Sequence, residues 1–414
     1  MKPALADTLY RRTAAAVLVL SFVAAHGGGL GLVPLAAMMG VIGIAISLAN
    51  GERVTLGGLF NSEWLTALFL FLAWAFLSTF WSPYSPSGVP NAAKLILGAA
   101  VFEAGRRLIT RAAGTPSVYH TTTLQNIVIY WPIVAALILC LDLVTDFGLS
   151  FAIDPVKADE DMVRRRADAI MNTANGVVWL TVICAASFTL MLWTRYRGPI
   201  FCVLLLTLIV ISAIINGLSA AIIAVLLSVL SMAGAAYYPK KTINLLTGAA
   251  VAAVGFAPLL AGAAQLSSSA FRAALPFSWE HRIVTWDYIG ERIKEHPILG
   301  HGFDASRTFD ATFDARGFTD LAVVSLHPHN AGLQIWVETG VIGAVLACTA
   351  IILIGKEAHK YAAGGRARAI AAAGTMTPIL VFASVSYGVW QEWWWATFFL
   401  SAGILALIPR TKQE

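Results

Sequence analysis

Apolar runs alternate with short polar breaks along nearly the whole chain. Twelve can be traced, near residues 13–27, 29–49, 64–81, 91–105, 123–145, 173–193, 199–215, 218–237, 243–263, 329–354, 369–388 and 392–409. Runs of about 20 apolar residues match the hydrocarbon thickness of a bilayer when wound as helices. The pattern therefore predicts an all-α polytopic membrane protein with about twelve transmembrane helices in a single membrane domain, 1–414. The seventh and eighth runs are short, parted by little more than Asn216-Gly217. Two outer polar segments are longer than a turn, 146–172 and 264–328, and the second is the one long insertion.

Inside the long insertion, residues 279–296 repeat with helical period. Ser278 is the expected start and Pro297 the stop. Trp286, Ile289 and Ile293 fall within about 40° of the Arg282 direction, so an arginine heads an apolar face. Such an arginine either snorkels to water or aims at a buried anion. The following Gly300-His301-Gly302-Phe303 is too short to count as a phosphate-binding motif.

The tenth run opens with Ser325-Leu326-His327-Pro328-His329-Asn330. Pro328 suits the first helical position, which puts His329 in the first turn. Trp336, Gly340 and Gly343 then lie within about 40° of His329, with Glu338 opposite. The two glycines admit another backbone on the histidine's side. The positive helix end disfavours imidazolium and attracts phosphate, and a neutral imidazole at an aqueous mouth is what a general base requires. The plainer alternative is an interfacial histidine bonded to a loop carbonyl, and His327 competes for the same role.

Composition agrees with the pattern and narrows it. Hydrophobic residues make up 58% and charged residues 12%, at a mean hydropathy of +0.74, a balance no soluble globular protein needs. All four cysteines lie in apolar runs without metal-ligand spacing, which argues against a disulfide framework or a zinc site. The first run follows Arg11-Arg12 and is expected to be an uncleaved signal anchor. The net charge of +5 does not point to nucleic acid here; its sidedness carries the information. With the N-terminus inside, 17 of the 28 basic residues fall on the cytoplasmic face, and the short outer connections carry none. The positive-inside rule thus gives twelve spans with both termini cytoplasmic. Ten of the remaining basic residues sit in the two outer segments, among them Arg164-Arg165-Arg166, Arg282 and Arg307. Something anionic is expected on that face. The triplet Asp159-Glu160-Asp161 either balances the arginines in solvent or holds a divalent metal.

These residues resemble the O-antigen ligases of the O-antigen ligase/polymerase superfamily. His329-Asn330, followed after nine residues by Gly340 and then by Gly343, is similar to the ligase signature. Arg282 and Trp286, with Glu295-His296-Pro297-Ile298-Leu299-Gly300-His301-Gly302, resemble the superfamily's arginine–tryptophan helix and its turn. Arg166, nine residues before Asn175, resembles its first outer arginine, and Gln391-Glu392-Trp393-Trp394-Trp395 its aromatic last span. One departure is Leu218-Ser219-Ala220-Ala221, where many members have Ser-Arg-Gly-Ala; that arginine's work is either absent here or done elsewhere, with Arg164 and Arg165 as the candidates.

The resemblance implies a GT-C-like membrane glycosyltransferase in the Gram-negative inner membrane, with its site facing the periplasm. It would move a glycan from undecaprenyl pyrophosphate to a sugar hydroxyl of lipid A–core, with inversion and without a metal or other cofactor. On that reading His329 is the base, Arg166 and Arg282 hold the pyrophosphate with Arg165 and Arg164 in reserve, and Asn330, His327 and Trp286 line the substrate site. The partners implied are the donor, the acceptor and membrane lipid. A polymerase acting on a second lipid-linked glycan and a protein O-oligosaccharyltransferase are the related alternatives. A glycan transporter is the alternative from another class, and it predicts charged spans that are not present: Lys94, Asp142 and Glu338 are nearly alone there.

Overall fold

The computed structural model describes residues 3–26, 31–53, 62–84, 86–116, 121–153, 161–195 and 197–410. Helices occupy every one of the twelve predicted runs. They are α1 (Pro3–His26), α2 (Leu32–Ala49), α3 (Glu63–Leu77), α4 (Gly88–Ala113), α5 (Thr123–Val144), α6 (Gly148–Ile153), α7 (Met162–Thr194), α8 (Gly198–Ile215), α9 (Ser219–Tyr237), α10 (Pro239–Gly255), α11 (Ala257–Gln265), α12 (Ser269–Ala274), α13 (Phe277–Glu295), α14 (Ala331–Ala362), α15 (Arg366–Val385) and α16 (Glu392–Leu405). Among the described residues, eight helices are long and apolar enough to cross a membrane; α10 and α11, bent by 61°, form a ninth candidate together. The remaining three runs lie in α1, α4 and α16. The first two carry more charge and the third has 14 residues.

The long helix α7 is the central column. Its most apolar window is 89% buried, against 33% for the peripheral α8 and α9, and α1, α5, α8, α9, α15 and α16 pack around it. Asp161 starts it by accepting the amides of Val163 and Arg164, which satisfies two of the donors a helix start leaves open. Two helix breakers in the membrane region are matched by donors elsewhere. Pro378 of α15 cannot bond the Gly374 carbonyl, and Ser228 of α9 donates a hydroxyl to it at 2.6 Å. Pro258, near the start of α11, likewise leaves the Val254 carbonyl open, and Trp336 donates its indole N–H there at 2.8 Å.

The long insertion folds over one end of the bundle. An apolar cluster distinct from the main core joins Ala257, Ala261 and Ala264 of α11 to Trp286, Ile289 and Ile293 of α13 and to Leu333 and Val337 of α14. The apolar face expected of 279–296 is thus present and buried. The helix starts two residues earlier than expected, at Phe277, because Pro276 rather than Ser278 stands at its N-cap. The insertion also holds a feature outside the helical expectation, an antiparallel hairpin of β1 (Thr312–Ala315) and β2 (Phe318–Ala322). Arg316 and Gly317 between the strands both have positive φ, as the tight hairpin turns demand. Arg316 also ties the hairpin down, donating to the Glu280 carboxylate at 2.8 Å.

Candidate active site

Helix α14 is broken at Gly340, whose φ of +64° and ψ of −167° lie in a region essentially closed to other residues. The break frees backbone groups, and the Pro297–Gly302 turn fills it. His301 N–H donates to the Val337 carbonyl at 2.8 Å, Gly302 N–H to the Glu338 carbonyl at 2.8 Å, and Val341 N–H to the Pro297 carbonyl at 2.9 Å. Trp74 donates to the remaining Thr339 carbonyl at 3.0 Å. A Cβ on Gly340 would stand 2.1 Å from the Ile298 oxygen, and one on Gly300 2.4 Å from the Glu338 carbon. The turn and the signature glycine are thus two halves of one joint. Gly340 admits another backbone, as expected, but the backbone it admits belongs to the turn rather than to a partner on the His329 side. Gly343 serves the same joint from the next turn, where a Cβ would strike the Thr339 side chain.

His329 itself is outside the helix, a correction to its expected place in the first turn. Its φ is +55°, a left-handed conformation that histidine tolerates better than most residues. The helix begins at Ala331 with Asn330 as its N-cap. Both ends of the Asn330 amide are engaged there, since Oδ1 accepts from Leu333 N–H at 2.9 Å and Nδ2 donates to the Ser384 carbonyl at 2.9 Å. It is buried and holds the segment rather than reaching a ligand. The helical alignment of His329 with Trp336, Gly340 and Gly343 accordingly does not exist, and Trp336 faces the α10–α11 bend.

The imidazole is oriented by a different contact. Nδ1 of His329 lies 2.8 Å from the Ser386 carbonyl, just past the end of α15. A carbonyl only accepts, so Nδ1 carries the proton and Nε2 presents a bare lone pair. No described residue bonds Nε2. Burial is the main reason the ring is neutral: it pushes the pKa down to about 4, the Ser386 bond acts the other way, and Arg282 and His281 nearby lower it further. His327 is not equivalent. Its Nδ1 accepts the His329 backbone N–H at 3.1 Å and its Nε2 lies 3.3 Å from the Gln391 amide. Both nitrogens are engaged, and burial holds it down at about 3.

Arg282 approaches from α13. Its Nε donates to the Val385 carbonyl at 2.7 Å and its Nη1 to the Ser278 carbonyl at 2.6 Å, and the guanidinium lies over the Trp279 ring. Val385 ends α15, so the cation meets the negative end of a helix. Among the described residues no carboxylate pairs with it. Burial lowers its pKa, as expected of a cation taken from water without a full counter-ion. Trp286 donates to the Pro328 carbonyl at 3.0 Å and so fixes the peptide that precedes His329.

The arginine run lies apart from this group. Arg166 is exposed and paired with Asp146 at 2.7 Å, Arg165 sits over the Phe151 ring, and Arg164 is exposed on the first turn of α7. None of the described contacts joins them to His329. The link from α7 is Asn175, which accepts the Tyr387 hydroxyl at 3.1 Å; nine residues of helix, about 13 Å, separate it from Arg166. The position of the family arginine missing at Ser219 adjoins Arg282 instead, since Ser219 accepts the Trp279 indole N–H at 3.0 Å. Of the acidic triplet, Asp161 caps α7, and Asp159 and Glu160 lie outside the described residues.

Three parts of the site were not foreseen. His281 stands 6.5 Å from His329, ring to ring. Ser386 and Tyr387 come from the break between the last two spans. Glu338 faces away from His329 as expected, yet it is the most heavily bonded group nearby. It accepts from Asp304 N–H at 2.9 Å, Ser306 N–H at 3.4 Å, the Ser306 hydroxyl, Gln334 at 3.2 Å and the Trp390 indole. Gln334 in turn accepts Val389 N–H at 2.8 Å, so one carboxylate fastens the Asp304–Ser306 turn to the segment that follows Ser386.

Comparison with known proteins bears on the same region. Residues 204–348 match the family described as O-Antigen ligase; this stretch holds Arg282, the 297–302 turn, His329 and both signature glycines, and excludes Arg164–Arg166. The chain is similar to the "Putative polysaccharide ligase" of Rickettsia prowazekii, 31% identical over 165 residues. Relatives of the same name in Rickettsia typhi and Rickettsia conorii are 32% and 31% identical over 119 and 132 residues. The first similarity covers 38% of each chain and the others 28 to 31% of this chain and 28 to 30% of the relative, so the chain aligns with well under half the length of the relatives it matches. Over residues 204–348, which hold the joint, the base candidate and Arg282, the chain is similar to the O-antigen ligase family.

Proposed function

We propose that the chain is a glycosyltransferase that moves a glycan from undecaprenyl pyrophosphate to a sugar hydroxyl of lipid A–core, at the periplasmic face of the inner membrane. The observation that carries this reading is a neutral imidazole with a bare Nε2, held beside an arginine that has no carboxylate partner among the described residues. The acceptor O–H gives its proton to His329 Nε2, and the oxygen attacks the anomeric carbon from the side opposite the pyrophosphate. The bond from that carbon to the pyrophosphate oxygen breaks, the electron pair leaves with the oxygen, and the configuration inverts. Arg282 keeps one nitrogen, Nη2, beyond its two carbonyl contacts, and it faces the developing charge. Arg166, with Arg165 and Arg164 in reserve, attracts the anionic donor. Its exposed pair with Asp146 is worth about 1 kcal/mol or less, so a pyrophosphate displaces the carboxylate at small loss. Asn330, His327 and Trp286 position the base.

The topology that fits is twelve spans with both termini cytoplasmic, which puts the long insertion outside. The test is transfer by the purified full chain from undecaprenyl-pyrophosphate glycan, with lipid A–core and a second lipid-linked glycan offered in competition. Product on lipid A–core supports the ligase; extension of the lipid-linked glycan makes the protein a polymerase.

A further inference from the structure

We propose that His281 is a second contact for the acceptor sugar, accepting a hydrogen bond from a hydroxyl beside the one His329 deprotonates. The inference rests on His329 acting as the base. Two imidazoles from different elements are prepared in the same manner. Nε2 of His281 lies 2.9 Å from the Ala322 carbonyl at the end of β2, so Nε2 carries a proton and, in the neutral imidazole, Nδ1 is bare. His329 has the reverse arrangement, with Nδ1 on the Ser386 carbonyl and Nε2 bare. Neither bare nitrogen has a partner among the described residues, and neither is among the buried polar atoms sealed from solvent. The ring centroids are 6.5 Å apart and the planes inclined at 73°, a separation that one sugar ring spans with two of its hydroxyls.

The surroundings fit the rest of a sugar. Phe313 of β1 and Phe277 lie 5.6 and 6.2 Å from the His281 ring, and they offer apolar surface to the C–H face of a pyranose. Two fixed acceptors select for paired O–H donors. A sugar with neighbouring hydroxyls meets both at once while its ring packs on the apolar surface beside them, which a water does not. His281 is thus assigned to favouring a sugar over water as nucleophile, not to the proton transfer itself.

The test uses the full chain in lipid nanodiscs, with undecaprenyl-pyrophosphate glycan as donor and whichever of lipid A–core or a second lipid-linked glycan it accepts. His281→Gln keeps an N–H for the Ala322 carbonyl and removes the acceptor at the Nδ1 position; His281→Asn keeps that acceptor. His281→Gln is expected to raise the acceptor KM about tenfold, the loss of one hydrogen bond. The donor KM and the rate of donor hydrolysis without acceptor should stay within about twofold, and His281→Asn should keep an acceptor KM near that of the wild type. An unchanged acceptor KM in His281→Gln overturns the assignment, as does an equal change in donor KM. If His281→Gln fails to insert, His281→Phe, which fills the space without an acceptor, carries the same prediction. Full transfer by His329→Ala would remove the base reading itself, whereas an inactive His329→Ala beside a normal His281→Gln removes only the role of His281.

Discussion

Replacing Gly340 by alanine should unfasten the joint on which the site is built. At φ +64° and ψ −167° a side chain costs roughly 1–3 kcal/mol in backbone strain alone. The added Cβ meets the Ile298 oxygen at 2.1 Å, its carbon at 2.4 Å and the Leu299 nitrogen at 2.7 Å, all backbone atoms that cannot rotate aside. The 297–302 turn must therefore retreat and weaken three hydrogen bonds to α14, each worth about 1 kcal/mol. Together the loss is about 4–6 kcal/mol, a large part of the 5–15 kcal/mol that holds a typical domain. It falls on one joint, so local opening is expected before global unfolding. Limited proteolysis in nanodiscs should show rapid cutting between residues 296 and 308, with the remaining spans resistant. Gly317→Ala is the control. Its φ is also positive, at +83°, but nothing lies within 4 Å of the new carbon, so it should lose only the strain. Equal protease resistance and melting temperature in Gly340→Ala and wild type would refute the joint.

Four other outcomes follow. Arg282→Lys should lose about 10- to 100-fold in transfer rate, because one ammonium cannot hold the Val385 and Ser278 carbonyls and a pyrophosphate at once; normal turnover would return Arg282 to a snorkelling role. The His329 pKa is lowered, so the base form persists as pH falls, and acceptor kcat/KM should show no limb from His329 between pH 8 and about 5. A limb near 6.5 would contradict a buried base, and Arg282→Gln, which removes a cation that lowers this pKa, should move the limb upward. Arg166→Ala should raise the donor KM while leaving acceptor KM unchanged, and an unaffected donor KM would remove the arginine run from donor capture. Transfer should survive a chelator; loss rescued by magnesium would return the acidic triplet to consideration.

Hydropathy made the twelve helical segments legible, since lipid leaves a backbone few options. The buried face of α13 was legible too, because its residues repeat at helical period. The environment of His329 was not. Extending the helix back to Pro328 ignored the left-handed turn at His329 and the N-cap at Asn330, although Asn is a strong N-cap signal. Angular reasoning then failed past Gly340, where the helix is broken by contacts to residues some 40 positions earlier. The hairpin left a faint local trace in Arg316-Gly317 between Phe313 and Phe318. His281 left none: the Ala322 carbonyl and His329 reach it only through folding of the whole insertion.

The claim at the centre is that His329 Nε2 takes the acceptor's proton. The most direct test is single-turnover transfer by His329→Ala and His329→Gln in nanodiscs preloaded with undecaprenyl-pyrophosphate glycan, with donor binding measured on the same samples. Donor affinity near that of the wild type with transfer reduced by about a hundredfold or more is the predicted result. Transfer at the wild-type rate by a folded, donor-bound His329→Ala would contradict it.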